Sequence, residues 1–307
     1  MKKDVTICAL GFLMMAVGCE TVIIPSGEEE VDKVTFTVDP FLDGDQDSLT
    51  RTSLDGNTFL WAPGDTVGID PDTGSQIYFE LASSTSASSA VFDGGGWEFK
   101  SGSTYYSYYP FIGNIYLDRN HIPVSYLGQK QVGLESTSHI GPFDFMYTHG
   151  VTAVGGNLSF SFHHLNCIVI AKATLPAGTY TKMAITAPTE CLVTKGYYDL
   201  MAEIPDIVGE KFGNQLVVDL EDITLTSTTT FWVYFMMAPV NLKDVEITVS
   251  ALNSEKKEYQ IKKTPSKSYQ PSFTYGLTCD NFTEVPQSMG LIIDDWGDGG
   301  SIGGDAD

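Results

Sequence analysis

The chain has 307 residues and a formal net charge of −22, with 17 Lys and Arg against 39 Asp and Glu. That balance excludes unaided binding to nucleic acid or to anionic lipid faces, since both need a basic footprint. With 42% hydrophobic, 12% aromatic and only 18% charged residues, and with 30 Gly, the composition excludes an acidic disordered tail and suggests about two strand-rich domains.

The N-terminus reads as an address. Met1-Lys2-Lys3 is followed by an apolar run from Val5 to Val17, too short for the roughly 20 residues that span a bilayer but suited to a secretory signal. The run ends in Ala16-Val17-Gly18-Cys19, which resembles a bacterial lipobox: the thiol of Cys19 is diacylated and cleavage leaves Cys19 first. An ordinary cleavage site with an incidental Cys is the alternative. Residues 1–18 are expected as a signal peptide and residues 19–32 as an acidic tether. Attachment is through lipid on Cys19, not a helix.

Next, Val34-Thr-Phe-Thr-Val38 alternates with a period of two, as a half-buried strand does. It leads into Asp43-Gly-Asp-Gln-Asp-Ser-Leu-Thr-Arg51, a polar loop of the kind that proteases cut, and a trypsin-like enzyme would sever Arg51–Thr52. The acidic stretches Asp43–Asp47 and Asp70–Gly74 read as turns rather than calcium loops, since neither has the ligand spacing. Tyr105-Tyr-Ser-Tyr-Tyr109 reads as a half-buried strand, with a sugar-stacking platform as the alternative.

Gly155-Gly156 marks a candidate hinge, which gives domains at 33–155 and 156–296 and a flexible acidic tail at 297–307. Leu158–Phe162 and Leu165–Ala171 alternate in opposite phase, and the switch at His163-His164 predicts a bulge or a strand that changes sheets. Leu216–Leu220 and Val245–Ala251 alternate, and Phe231–Met237 is apolar throughout, as a strand buried on both faces would be. Many short strands with Gly and Pro turns mean sandwiches or barrels.

Chemical signatures are sparse. The five His show no metal-binding spacing, and His163 and His164 read as fillers of a core gap or strand end. No nucleophile elbow, phosphate loop or dinucleotide fingerprint occurs. The expectation is a non-enzyme without cofactor or metal. Cys167, Cys191 and Cys279 read as buried free thiols, with one pair the alternative in an oxidising compartment.

Taken in order, several segments resemble the fimbrillin-like (FimA/Mfa-like) pilus proteins of Bacteroidia. They are the lipobox at Cys19, Thr50–Leu54, Phe59-Leu-Trp-Ala-Pro-Gly-Asp-Thr-Val-Gly-Ile69, Ala90–Phe92 with Tyr105–Phe111, Phe143-Asp-Phe-Met146, Leu158–Leu165, and Ile293-Asp-Asp-Trp296. The resemblance implies an all-β fold of two transthyretin-like antiparallel β-sandwich domains in tandem. It also implies a fimbrial location at the outer membrane or cell surface, a role in adhesion, and other pilus subunits as partners.

By the same resemblance, an arginine-specific protease cuts at Arg51–Thr52 and the strand from about Lys33 to Phe41, with Val34, Phe36 and Val38 on its apolar face, departs. A neighbour's C-terminal segment, with Met289, Leu291, Ile293 and Trp296, would fill the groove. Met289, Leu291 and Ile293 share the i, i+2, i+4 spacing of the resident strand, and strand addition of this kind supplies both pairing and register. A surface glycan-binding outer-membrane lipoprotein is the alternative.

Overall fold

The computed structural model describes residues 34–44, 60–62, 64–71, 75–81, 89–92, 97–113 and 118–286. All lie within the unit Asp32–Asp307; the unit Met1–Val31 falls outside the described residues. The described residues form strands, one 3-10 turn at Gly141–Phe143, and no α-helix.

The first sheet sets β4 (Ile77–Glu80), β3 (Thr66–Pro71), β6 (Thr104–Tyr109), β9 (Met146–Tyr147), β11 (Leu158–His164), β1 (Val34–Val38) and β5 (Ser89–Phe92) side by side, with β10 (Val151–Thr152) on β6. Alternation decides which side chains face inward: Val34 and Phe36 of β1, Val67 and Ile69 of β3, and Phe160 and Phe162 of β11 share one core with Trp61.

A four-stranded sheet follows, in the order β17 (Thr229–Met237), β12 (Cys167–Leu175), β20 (Phe273–Cys279) and β2 (Leu42–Asp43). The next sheet has six strands: β21 (Thr283–Val285), β19 (Glu258–Lys263), β18 (Ile247–Asn253), β13 (Gly178–Thr186), β16 (Gln215–Leu225) and β8 (Gln129–Val132). The last has three: β15 (Val208–Gly213), β14 (Leu192–Tyr198) and β7 (Ile122–Ser125).

Val169 of β12 and Phe235 of β17 meet Ile185 of β13 and Val218 of β16 in the second core. On their other face, Ile168, Ile170, Tyr234 and Met236 pack with Phe41 and Ile140. These two strands are therefore buried on both sides, as the unbroken apolar run Phe231–Met237 predicts.

Most pairs are antiparallel, but β1 with β11, β12 with β20, β16 with β8, and β2 with β20 are parallel. Each of these joins strands far apart in sequence, where no hairpin can impose the opposite direction. Residue 155 falls between β10 and β11, two strands of the same sheet. Gly155 and Gly156 have φ of 59° and 82°, the positive values that a two-residue hairpin turn needs, and Val154 and Asn157 bridge across them. The chain changes sheets at His164–Cys167 instead, where the phase of alternation switches.

Asp70 lies within β3 rather than in a turn, because it is buried against Arg119, whose Nη2 approaches Oδ1 at 3.0 Å. Burial holds the Asp70 carboxyl above its ordinary pKa, and the guanidinium opposes that shift. A raised carboxyl favours the fold in acid and costs stability as pH rises through the folded value. Arg119→Gln is therefore expected to cost little in acid and about 1–3 kcal/mol at neutral pH. Urea unfolding at both pH values measures the difference, and equal losses would refute the pairing.

Candidate functional site

The segments around Trp61, Ala90, Tyr109, Asp144 and Phe162, which carry the sequence resemblance, meet around β1 and the turn after it. β1 sits between β11, with Phe36 opposite Phe160, and β5, with Phe36 opposite Ala90. Val34, Phe36 and Val38 are all buried. The Phe36 ring stacks on Phe160 and Phe162 at centroid distances of 5.4 and 5.7 Å, and meets Trp61 edge-on at 6.3 Å.

Trp61 is held in place by the turn that follows it. The Asp65 carboxylate accepts from the Ala62 N–H at 2.7 Å and from the Tyr109 hydroxyl at 2.9 Å. Burial raises the Asp65 carboxyl pKa, and these two bonds oppose it. Aromatic stacking and area burial together make the seat of β1 the part of the first core that this strand completes.

A second grip holds the elbow after β1. The Asp39 N–H donates to the Phe162 carbonyl at 3.0 Å. His163 and His164, pointing to opposite faces of β11, both reach Asp39: His163 Nδ1 lies 2.7 Å from its carboxylate and His164 Nε2 lies 2.8 Å from its carbonyl oxygen. His164 Nδ1 also lies 2.9 Å from the carboxylate of Asp144, and neither side chain has solvent access. The His164 imidazole therefore stands between two oxygen partners, one on each ring nitrogen. The Phe41 ring stacks on this imidazole at 3.7 Å.

Beyond the elbow, β2 joins the second set of sheets. Leu42 pairs with Phe273 and Asp43 with Thr274, and the Gly44 N–H donates to the Thr274 carbonyl at 2.8 Å. Lys267 donates through Nζ to the Gly44 carbonyl. A Cβ at Gly44 would lie 2.5 Å from the Tyr275 ring and 2.7 Å from the Thr274 oxygen, so only glycine fits.

Several expectations change here. The gripped segment extends past Phe41 to Gly44, because β2 adds pairs on β20; Lys33 is outside the described residues. His163 and His164 close the end of β11, with His164 buried there, and in addition both reach Asp39. Asp39, Phe41, Gly44 and Asp144 were not singled out as site residues, and the phase switch at His163-His164 was the signal closest to them. Tyr105, Tyr108 and Tyr109 are buried, and Tyr108 donates to Gln76 at 2.8 Å, so they do not form a sugar-stacking platform.

Cys19, Arg51, Thr52, Met289, Leu291, Ile293 and Trp296 lie outside the described residues. Cys167, Cys191 and Cys279 are free thiols; Cys191 is partly exposed. Burial pushes the Cys279 thiol up to about 12, so it is protonated and unreactive at neutral pH. Among the described residues, no group of three or more His, Cys, Asp or Glu side chains is placed to hold a metal ion.

The class this architecture defines is an all-β sandwich protein whose first strand completes one core and whose next strand edges a second sheet. No family model matches the chain, and no curated protein matches it. Among solved structures, a "putative cell adhesion protein" from Bacteroides ovatus matches with a TM-score of 0.53 at 13% identity, over 84% of this chain and 96% of that one. That likeness shows a shared fold across most of both chains.

A second "putative cell adhesion protein", from Bacteroides uniformis, has a TM-score of 0.48 at 14% identity over 73% of this chain and 91% of its own. The fimbrial anchor protein Mfa2 from Porphyromonas gingivalis has a TM-score of 0.35 at 10% identity over 76% and 82%.

Proposed function

We propose that this chain is a subunit of a cell-surface fimbria that supports adhesion. It is exported as a lipoprotein precursor acylated on Cys19, cut at Arg51–Thr52, and assembled by exchange of its first strand for a strand from a neighbour. The observation that carries this reading is the seat of β1. Val34, Phe36 and Val38 fill the first core, yet the strand is joined to the rest of the chain only through the segment that contains Arg51. Its removal opens a sheet between β11 and β5 and leaves an apolar groove, which another strand can relieve. A head-to-tail contact of this kind does not close on itself and grows into filaments.

The processing step has a direct test. Arg51 and Arg119 are the only arginines, and Arg119 is engaged with Asp70. Exposure of the precursor to an arginine-specific protease is expected to cut at Arg51 and to yield polymers on size exclusion. Arg51→Ala is expected to remain intact and monomeric. Stable monomers after cutting, with the variant behaving no differently, would end the assembly reading.

A further inference from the structure

In a chain of net charge −22, lysine is concentrated around β19: Lys243, Lys256, Lys257, Lys262, Lys263 and Lys267 all fall within one short stretch. Lys257 and Lys262 are ion-paired with Glu255 and Glu246 on the surface. Lys263 and Lys267 line a cavity of about 220 Å³ between the β19–β20 loop and β20 itself.

The walls of this cavity are fixed in place. Tyr269 exchanges both backbone hydrogen bonds with Val240, at 2.9 and 3.1 Å, and the Pro265 carbonyl accepts from the Asp244 N–H at 2.8 Å. Tyr269 and Tyr275 are buried in its wall with ring centroids 4.7 Å apart. The Tyr275 hydroxyl accepts from the Gln270 N–H at 2.9 Å. Lys263 is half-buried at the end of β19, and Lys267 donates through Nζ to the Gly44 carbonyl, which sets the place of its charge.

The described residues that line the cavity include no Asp or Glu. Asp280, just past β20, is engaged by the Thr174 hydroxyl at 3.0 Å. Thr264, Ser266 and Thr278 bring exposed hydroxyls to the rim, each able to donate and to accept.

We propose that this cavity binds a sugar acid, a single pyranose ring that carries a carboxylate. Lys263 and Lys267 supply the charge for the carboxylate, the three hydroxyls meet those of the sugar, and the tyrosine wall takes its C–H face. The volume lies below the roughly 300 Å³ at which drug-sized sites begin, which limits the ligand to about one ring. A bare phosphate would use the ammonium groups and leave the hydroxyls and rings unused. A neutral sugar would leave the two charges unanswered. The acidic remainder of the chain does not forbid an anion here. At physiological salt the Debye length is about 8 Å, so the adjacent lysines outweigh distant carboxylates.

Calorimetric titration of the full uncut chain with D-glucuronate tests the proposal. Binding in the millimolar range is expected, as a ligand of this size allows. D-glucose and inorganic phosphate are each expected to bind at least about tenfold more weakly. Lys263→Gln is expected to weaken glucuronate binding at least about tenfold, and Lys263→Arg to restore most of it. Lys257→Gln removes a charge already paired with Glu255 outside the cavity, and is expected to bind like the unchanged chain. No binding of glucuronate, equal affinity for phosphate, or a Lys263→Gln chain that binds as tightly as the unchanged one would overturn the site. Those results would leave cutting at Arg51 and assembly untouched, since the titration uses the uncut chain.

Discussion

Phe36→Ala is expected to lower the stability of the uncut chain by about 3–5 kcal/mol and to leave the cut, assembled chain unchanged. The cost in the uncut chain follows from complete burial of the ring and from its contacts with Phe160, Phe162 and Trp61. Truncation leaves a cavity among aromatic groups that cannot collapse far, because Trp61 is fixed through the turn at Asp65. Under the proposed strand exchange residue 36 leaves with the cut N-terminal segment, so the substitution would have nothing left to weaken in the assembled chain. Leu291→Ala is expected to weaken the polymer instead. Urea unfolding of the two variants before and after cutting measures this crossover. A loss from Phe36→Ala that persists after cutting would mean that β1 had stayed in its core.

His164→Leu is expected to destabilise the uncut chain by about 3–5 kcal/mol. The variant leaves the Asp144 carboxylate buried without its imidazole partner, and one oxygen of that carboxylate has no hydrogen-bond partner in the described structure. It also removes the donor to the Asp39 carbonyl and the ring on which Phe41 stacks. Adding Asp144→Asn removes the uncompensated charge while keeping an acceptor for Asn166, which donates to Asp144 at 3.2 Å. The double variant is therefore expected to recover much of the loss. Thermal unfolding of the single and double variants measures the coupling, and additive losses would show that the two side chains do not act as a pair.

Individual features of the site differed in how far they could be read ahead of the fold. Val34-Thr-Phe-Thr-Val38 announces a strand with one apolar face, because alternation acts between neighbouring residues. The switch of phase at His163-His164 marks the change of sheets, and β11 ends there. The roles of those two histidines were not legible. Asp39, Asp144 and Phe41 reach His164 across sequence separations of twenty residues or more. The buried tyrosines show the same limit, since alternation places them on a strand but not under Gln76 or Asp65.

The sequence by itself determined the all-β class, the first strand and its apolar face, and the buried character of Phe231–Met237. Periodicity and turn chemistry are local, and they survive without knowledge of partners. Only the tertiary structure decided that β1 lies parallel to β11, that the chain then crosses to the edge of β20, and that Asp39, Phe41 and Gly44 are gripped on the way. The physical reason is that pairing joins whichever edges lie adjacent in the folded chain, and alternation specifies a face without naming the strand that will lie beside it.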